Sequence, residues 1–392
     1  MAETRGQNPD EDGLIVHLPD MTPESSEFPP EGCPVVSDPS AATTDVLYYW
    51  DYLGLDQILS SQSPKSAERG DLVHDEHLFI TVHQTYELWF KQILVELDSV
   101  RAIMDLPELG DGDLNVALSR LQRINSVLRL LVDQLDVLET LSPLDFLDFR
   151  SLLLPASGFQ SVQFRLIENK FGLLQRDRIS VEGHDYSSTL RADHAHLVTA
   201  SENVPSLFDL VDRWLARTPF VRTSGSDFIS RYREVVTAKH ESTRAALAEA
   251  PEQLAAFESS IKKFDAVFDQ GTWESEVAHG ARRLSYDAFM GALIITLYRD
   301  ESVFQVPARL LTALIDIDES LTLWRQRHAS MAHRMLGRLT GTAGSGYDYL
   351  DETARRYTPF RDLFDVSTYL LPRATREMLP TWPWNDRKHG HQ

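Results

Sequence analysis

Leu314, Ile317, Leu321, Trp324, His328, Met331 and Met335 follow one another at intervals of 3, 4, 3, 4, 3 and 4 residues, which keeps side chains on one face of an α-helix. His328 therefore takes a core position, and His333 does not. A buried imidazole needs partners for its ring nitrogens, and a metal, a haem iron or an internal hydrogen-bond partner can each provide one. Helical position by itself favours the internal partner, the commoner fate of a lone core histidine. His83 poses the same question beside the stripe Phe79, Val82, Tyr86, Phe90, Ile93, Leu97 and Val100, where Phe79 and Tyr86 give it aromatic company.

Arg150 lies one turn from Phe146 and close to Leu153 in the apolar run Leu144 to Leu154. A guanidinium in such company needs an anion, because an unpaired buried charge costs on the order of 3–5 kcal/mol. Asp145 or Asp148 could supply it internally, or a substrate carboxylate could accept two parallel hydrogen bonds, and the spacing leaves both open. His74, Glu76 and His77 do not have the His-Glu-x-x-His zinc spacing, so capping and solvation suit them better. Gly341-Thr-Ala-Gly-Ser-Gly346 lacks the Lys-Ser/Thr of a phosphate loop, and no Gly-x-Ser-x-Gly elbow is present.

Helices must position these groups. Apolar residues recur at three- and four-residue intervals from Asp45 onward, which predicts an all-α fold. Long helices are expected from about Asp75 to Met104, from Leu114 to Leu141, and in the apolar stretches between Arg283 and Leu336, with Ser142-Pro143 as a break. Residues 175–281 are more polar, with a helical stretch at Glu241 to Phe268, and read as an accessory helical region. Residues 1–43 mix prolines with acids and read as a flexible arm, leaving 44–392 as one catalytic domain.

Composition narrows the partners. The 59 acidic residues against 38 basic ones give a net charge of −21, which opposes nucleic acid and anionic membrane surfaces. The single cysteine, Cys33, excludes an internal disulfide framework or a thiolate metal cluster and fits a reducing cytoplasm. The N-terminus has no apolar signal core, and no window approaches the roughly 18 apolar residues of a membrane span.

The run His74-Asp-Glu-His-Leu-Phe-Ile-Thr-Val-His-Gln-Thr-Tyr-Glu-Leu-Trp-Phe-Lys-Gln92 closely resembles the signature helix of the tryptophan 2,3-dioxygenase family. The resemblance continues through Leu144-Asp-Phe-Leu-Asp-Phe-Arg150, Pro155-Ala-Ser-Gly-Phe-Gln-Ser161, Arg165-Leu-Ile-Glu-Asn-Lys170, Arg283-Leu-Ser-Tyr286, Phe304-Gln-Val-Pro307 and Trp324-Arg-Gln-Arg-His328. It implies a helical-bundle haem dioxygenase, a homotetramer that binds haem b and inserts both atoms of O2 across the indole C2–C3 bond of L-tryptophan to give N-formylkynurenine, the first step of the kynurenine pathway.

The resemblance also implies roles. His328 corresponds to the axial haem-iron ligand, with Ser157, Gly158 and Trp324 on the haem side, and His83 to the distal histidine that meets the indole N–H. Arg150 corresponds to the carboxylate-binding arginine, with Phe79, Phe146 and Leu153 as pocket walls and Thr342 in a loop closing over the amino acid. Tyr49 and Tyr52 correspond to tyrosines that reach a neighbouring subunit's pocket. Ala343, Trp50 and Val82 depart from the family's usual residues and bear on which substrate is taken. A modified tryptophan, insertion of a single oxygen atom, or a haem sensor without turnover are the competing readings.

Overall fold

The computed structural model describes residues 46–179, 190–218, 228–337 and 347–379. The arm at 1–43 and Thr342 lie outside these residues. The chain divides between Leu59 and Ser60 into two units. In the first, helices Tyr49–Leu53 and Leu55–Leu59 meet at Gly54, whose φ of 62° ends the earlier helix, and Trp50 Nε1 donates to Asp56 at 2.6 Å. Tyr49 and Tyr52 are both exposed.

The second unit is all helix among the described residues, with no strand. Its main elements are α1 (His74–Met104), α2 (Asp111–Leu138), α3 (Pro143–Arg150), α4 (Val162–Phe171), α5 (Leu207–Ala216), α6 (Tyr286–Leu297), α7 (Gln305–Leu336) and α8 (Tyr347–Arg356). No helix among the described residues is long and apolar enough to cross a membrane.

Local chemistry sets the ends. The backbone N–H of Gly110 donates to Asp113 at the start of α2, so this helix begins three residues before the expected Leu114. Ser142 caps α3 and Pro143 takes its first turn, where a missing N–H costs nothing. Glu76, fully buried, accepts from the N–H groups of Lys65 and Ser66 at 2.7 and 2.9 Å and thereby caps the short helix Lys65–Glu68. His74 and His77 are exposed, and no group of three His, Cys, Asp or Glu able to hold a metal occurs among the described residues. The stretch expected from Glu241 to Phe268 is broken: one helix ends at Ala246 and the next starts at Pro251, whose ring suits a first turn but not a helix interior.

The long helices α1 and α7 both pack on α2, and buried polar side chains hold their register. Tyr86 of α1 donates to the Leu131 carbonyl at 2.7 Å, Gln134 of α2 to the Val82 carbonyl at 3.1 Å, and Asn125 of α2 to the Ala313 carbonyl of α7 at 2.9 Å. A slip of either helix would strand these groups without partners. Leu207, Val211 and Leu215 of α5 are fully buried and belong to the same apolar core as α1, α2 and α7, so part of the polar 175–281 region is core-forming.

Helices α5 and α6 touch at Gly291. A Cβ there would lie 2.2 Å from the Leu215 carbonyl oxygen and 2.8 Å from Thr218 Oγ1. Gly291→Ala is expected to destabilise the protein by about 1–3 kcal/mol through overpacking against backbone that cannot yield. Calorimetry checks this, and an unchanged melting temperature would show that the two helices have room to part.

Candidate active site

Three helices bring the chemistry together. Phe79 and His83 sit one turn apart on α1 with ring centroids 4.0 Å apart, and Phe79 in turn stacks on Phe146 of α3 at 5.7 Å. Trp324 and His328 sit one turn apart on α7 with parallel rings, 5.3 Å between centroids and 2° between planes. Phe149, fully buried beneath α3, anchors that helix so that its last turn carries Arg150 to the site. Asp145 is taken up by the cap of α3 with Ser142, and Asp148 is exposed.

One cavity of about 330 Å³ lies among these helices. Phe79, His83, Phe146, Arg150, Ser157, Gly158, Trp324 and His328 all line it. Leu153 does not; it packs half-buried against the core. His333, also on α7, is exposed, as its place in the helical period requires. Ser157 accepts from Phe159 N–H and caps a single turn of 3-10 helix, Gly158–Gln160, while Ser161 caps α4. A side chain on Gly158 would meet nothing within 4 Å, so the backbone here borders open space and an occupant can approach it closely.

Electrostatics distinguish the two histidines. His83 Nδ1 lies 2.7 Å from the Phe79 carbonyl oxygen. Because that oxygen only accepts, Nδ1 carries the proton and Nε2 keeps its lone pair. The ring is solvent-accessible through the cavity yet crowded by protein. Desolvation lowers its pKa, opposed by the Phe79 carbonyl and the Glu87 charge. Desolvation, with His83 adding to it, pushes His328 down to about 4. His328 is therefore neutral near pH 7, and its ring makes no hydrogen bond to a described residue, which leaves a nitrogen lone pair fit for an iron.

The cavity lining includes a charged cluster. Glu168 of α4 accepts from Arg165 and Arg178 at 2.8 Å each and from Arg325 of α7 at 3.0 Å. Burial alone would raise this carboxyl, and the three guanidiniums outweigh burial and hold it at about 2. Arg165, Glu168 and Arg325 line the cavity, as do Glu87, Tyr349 and Tyr357. Glu87, Arg165, Glu168 and Arg325 stand inside the motifs that carry the family resemblance without a site role attached to them, and Tyr349 and Tyr357 stand outside those motifs. Arg325 stands four residues after Leu321, so the period that places His328 also placed a buried arginine there. Its partnership with Glu168, 157 residues away, left no local mark.

A family model described as Tryptophan 2,3-dioxygenase matches residues 37–370. A tryptophan 2,3-dioxygenase of Bdellovibrio bacteriovorus is 45% identical over 343 residues, covering 85% of this chain and 96% of its own length. One of Xenopus laevis is 45% identical over 336 residues, with 83% of each chain covered. One of Dictyostelium discoideum is 43% identical over 355 residues, covering 85% of this chain and 86% of its own length. With the motif-bearing residues gathered around one cavity and relatives matched over 83–96% of their own length, this chain belongs to the tryptophan 2,3-dioxygenase family.

Proposed function

We propose that this chain is a haem-dependent dioxygenase that converts L-tryptophan and O2 to N-formylkynurenine. The observation that carries the reading is the single cavity bordered by His83, His328 and Arg150, with His83 presenting an unprotonated Nε2. The names of the relatives favour this over insertion of one oxygen atom or action on a modified tryptophan.

His328, steadied by its stack on Trp324, would hold haem b through a ring nitrogen. Arg165 and Arg325 line the same cavity and, beyond their pairing with Glu168, would complement the anionic carboxylates of haem, with Ser157 and Gly158 as further lining residues that would border the group. Haem held here would supply the redox chemistry that activates O2, which is slow to react with a closed-shell indole. Phe79 and Phe146 wall the indole, and His83 Nε2 accepts the indole N–H and can take its proton. Arg150 grips the carboxylate through its fork of donors and so fixes the ring's orientation. Thr342 over the amino acid, Tyr49 and Tyr52 acting from a neighbouring subunit, and a cytoplasmic homotetramer complete the proposal by family resemblance.

Reduced, haem-loaded protein given L-tryptophan under isotopically labelled O2 should form a product carrying two labelled atoms. One labelled atom would sink the reading in favour of mono-oxygenation. In the same assay Arg150→Lys keeps the charge but loses the fork. It should cut kcat/KM by about 10–100-fold, equivalent to about 1.5–3 kcal/mol, while haem content stays normal. Indole substrates without a carboxylate should be nearly indifferent to this change. An equal loss on both substrate types would make Arg150 structural.

A further inference from the structure

Arg176, Arg283, Arg355, Arg356 and Arg361 border a second cavity of about 380 Å³, with Asp177 the one carboxylate among its described lining residues. In a chain with 59 acidic residues and 38 basic ones, five guanidiniums around one hollow are a local concentration of cationic donors.

The partners of these arginines leave them available to an anion. Arg355 pairs with Asp351 at 2.7 Å and Arg356 with Glu352 at 2.6 Å, both one turn back on α8, with arginine side chains 73% and 60% exposed. Pairs that exposed contribute little and give way to a better acceptor. Arg176 stands 4.0 Å from Asp177, at the limit of an ion pair. The other two are held chiefly by carbonyl oxygens, which orient a guanidinium without neutralising it. Arg283 donates to Pro359 and Gly172 at 3.1 and 2.6 Å, and its guanidinium lies 4.0 Å over the Phe208 ring. Arg361 donates to the Gly280 and Ala281 carbonyls at 2.6 and 3.2 Å. Its nearest carboxylate, Asp362 at 3.7 Å, already accepts from the N–H groups of Arg283 and Leu284. Burial draws Arg283 below the ordinary arginine value against the pull of Asp177 and Asp209, and the like charge of Arg361 adds to the fall.

We propose that this arginine-lined hollow binds a diphosphate group. Guanidinium forks approaching from several directions suit an acceptor with tetrahedrally disposed oxygens and more than one negative charge, which a planar carboxylate does not offer. Rigidly held Arg283 and Arg361 form the fixed part of the site, and Arg355, Arg356 and Arg176 turn onto the ligand. The diphosphate can arrive free or on a nucleoside. The site is distinct from the substrate cavity, although α8 contributes Tyr349, Leu350 and Thr353 to one and Arg355 and Arg356 to the other. The proposal stands independently of the dioxygenase reading, since its test measures binding and not turnover.

Isothermal titration of the full-length, haem-loaded protein, with L-tryptophan saturating, uses inorganic pyrophosphate in one arm and adenosine diphosphate in the other. One saturable site per chain is expected, weakening with added salt. The double variant Arg355→Gln/Arg356→Gln should bind about tenfold or more weakly with its circular dichroism unchanged. Equal affinity in the two arms identifies the diphosphate as the whole ligand, and tighter adenosine diphosphate a nucleotide. Arg176→Gln, a single exposed change, gives a second measure should the double variant fold poorly. Absence of saturable binding in both arms, or unchanged affinity in the variants, overturns the proposal.

Discussion

His328→Ala is expected to yield a folded protein that no longer retains haem. The imidazole is half-buried on α7, held by a parallel stack on Trp324, neutral near pH 7 and without a hydrogen-bond partner among the described residues. Removing it deletes the nitrogen offered to iron and little else, because Leu321, Ala329 and Met331 keep the helix packed. Haem affinity should fall by more than the roughly 10–100-fold seen when groups behind a ligand are changed. His333→Ala is the control: this residue, five positions further on, is exposed and should leave haem binding intact. Soret absorbance after reconstitution reads the result, with circular dichroism to confirm folding. An unaltered Soret band in the His328 variant removes His328 from the iron.

His83→Ala has the second large effect, on rate and not on cofactor. With the Phe79 carbonyl holding the Nδ1 proton, Nε2 is the acceptor placed for the indole N–H, so alanine deletes orientation and proton acceptance together. A loss of about 10²–10⁴-fold in kcat is expected, the range for a positioned acid–base group, with haem content unchanged. The pH profile supplies a second reading. The group is active when neutral, and desolvation lowers its pKa from the usual 6.5, so the acid limb of kcat/KM should lie below that value. The limb should disappear in His83→Ala. Loss of haem on this change, or an acid limb above pH 6.5 in the unmodified protein, would rule out the assignment.

The all-α class, the core-facing position of His328 and the aromatic company of His83 were legible in the sequence, because a 3.6-residue repeat forces residues three and four apart onto one face. Boundaries at Ser142-Pro143 were legible for a related reason: capping and proline effects act within one turn. The split at Pro251 follows from the same rule. Tertiary structure decided the rest. His83 and His328 are 245 residues apart, and nothing in either helix states that both border one cavity; only the packing of α1 and α7 against α2 brings them there. The balance at Glu168, where three guanidiniums outweigh burial, likewise joins α4 to α7 and exists only after they have packed. Periodicity dictates which face a residue occupies, but what that face meets depends on contacts distant in sequence. Chemistry made by several elements together is therefore visible only in the folded chain.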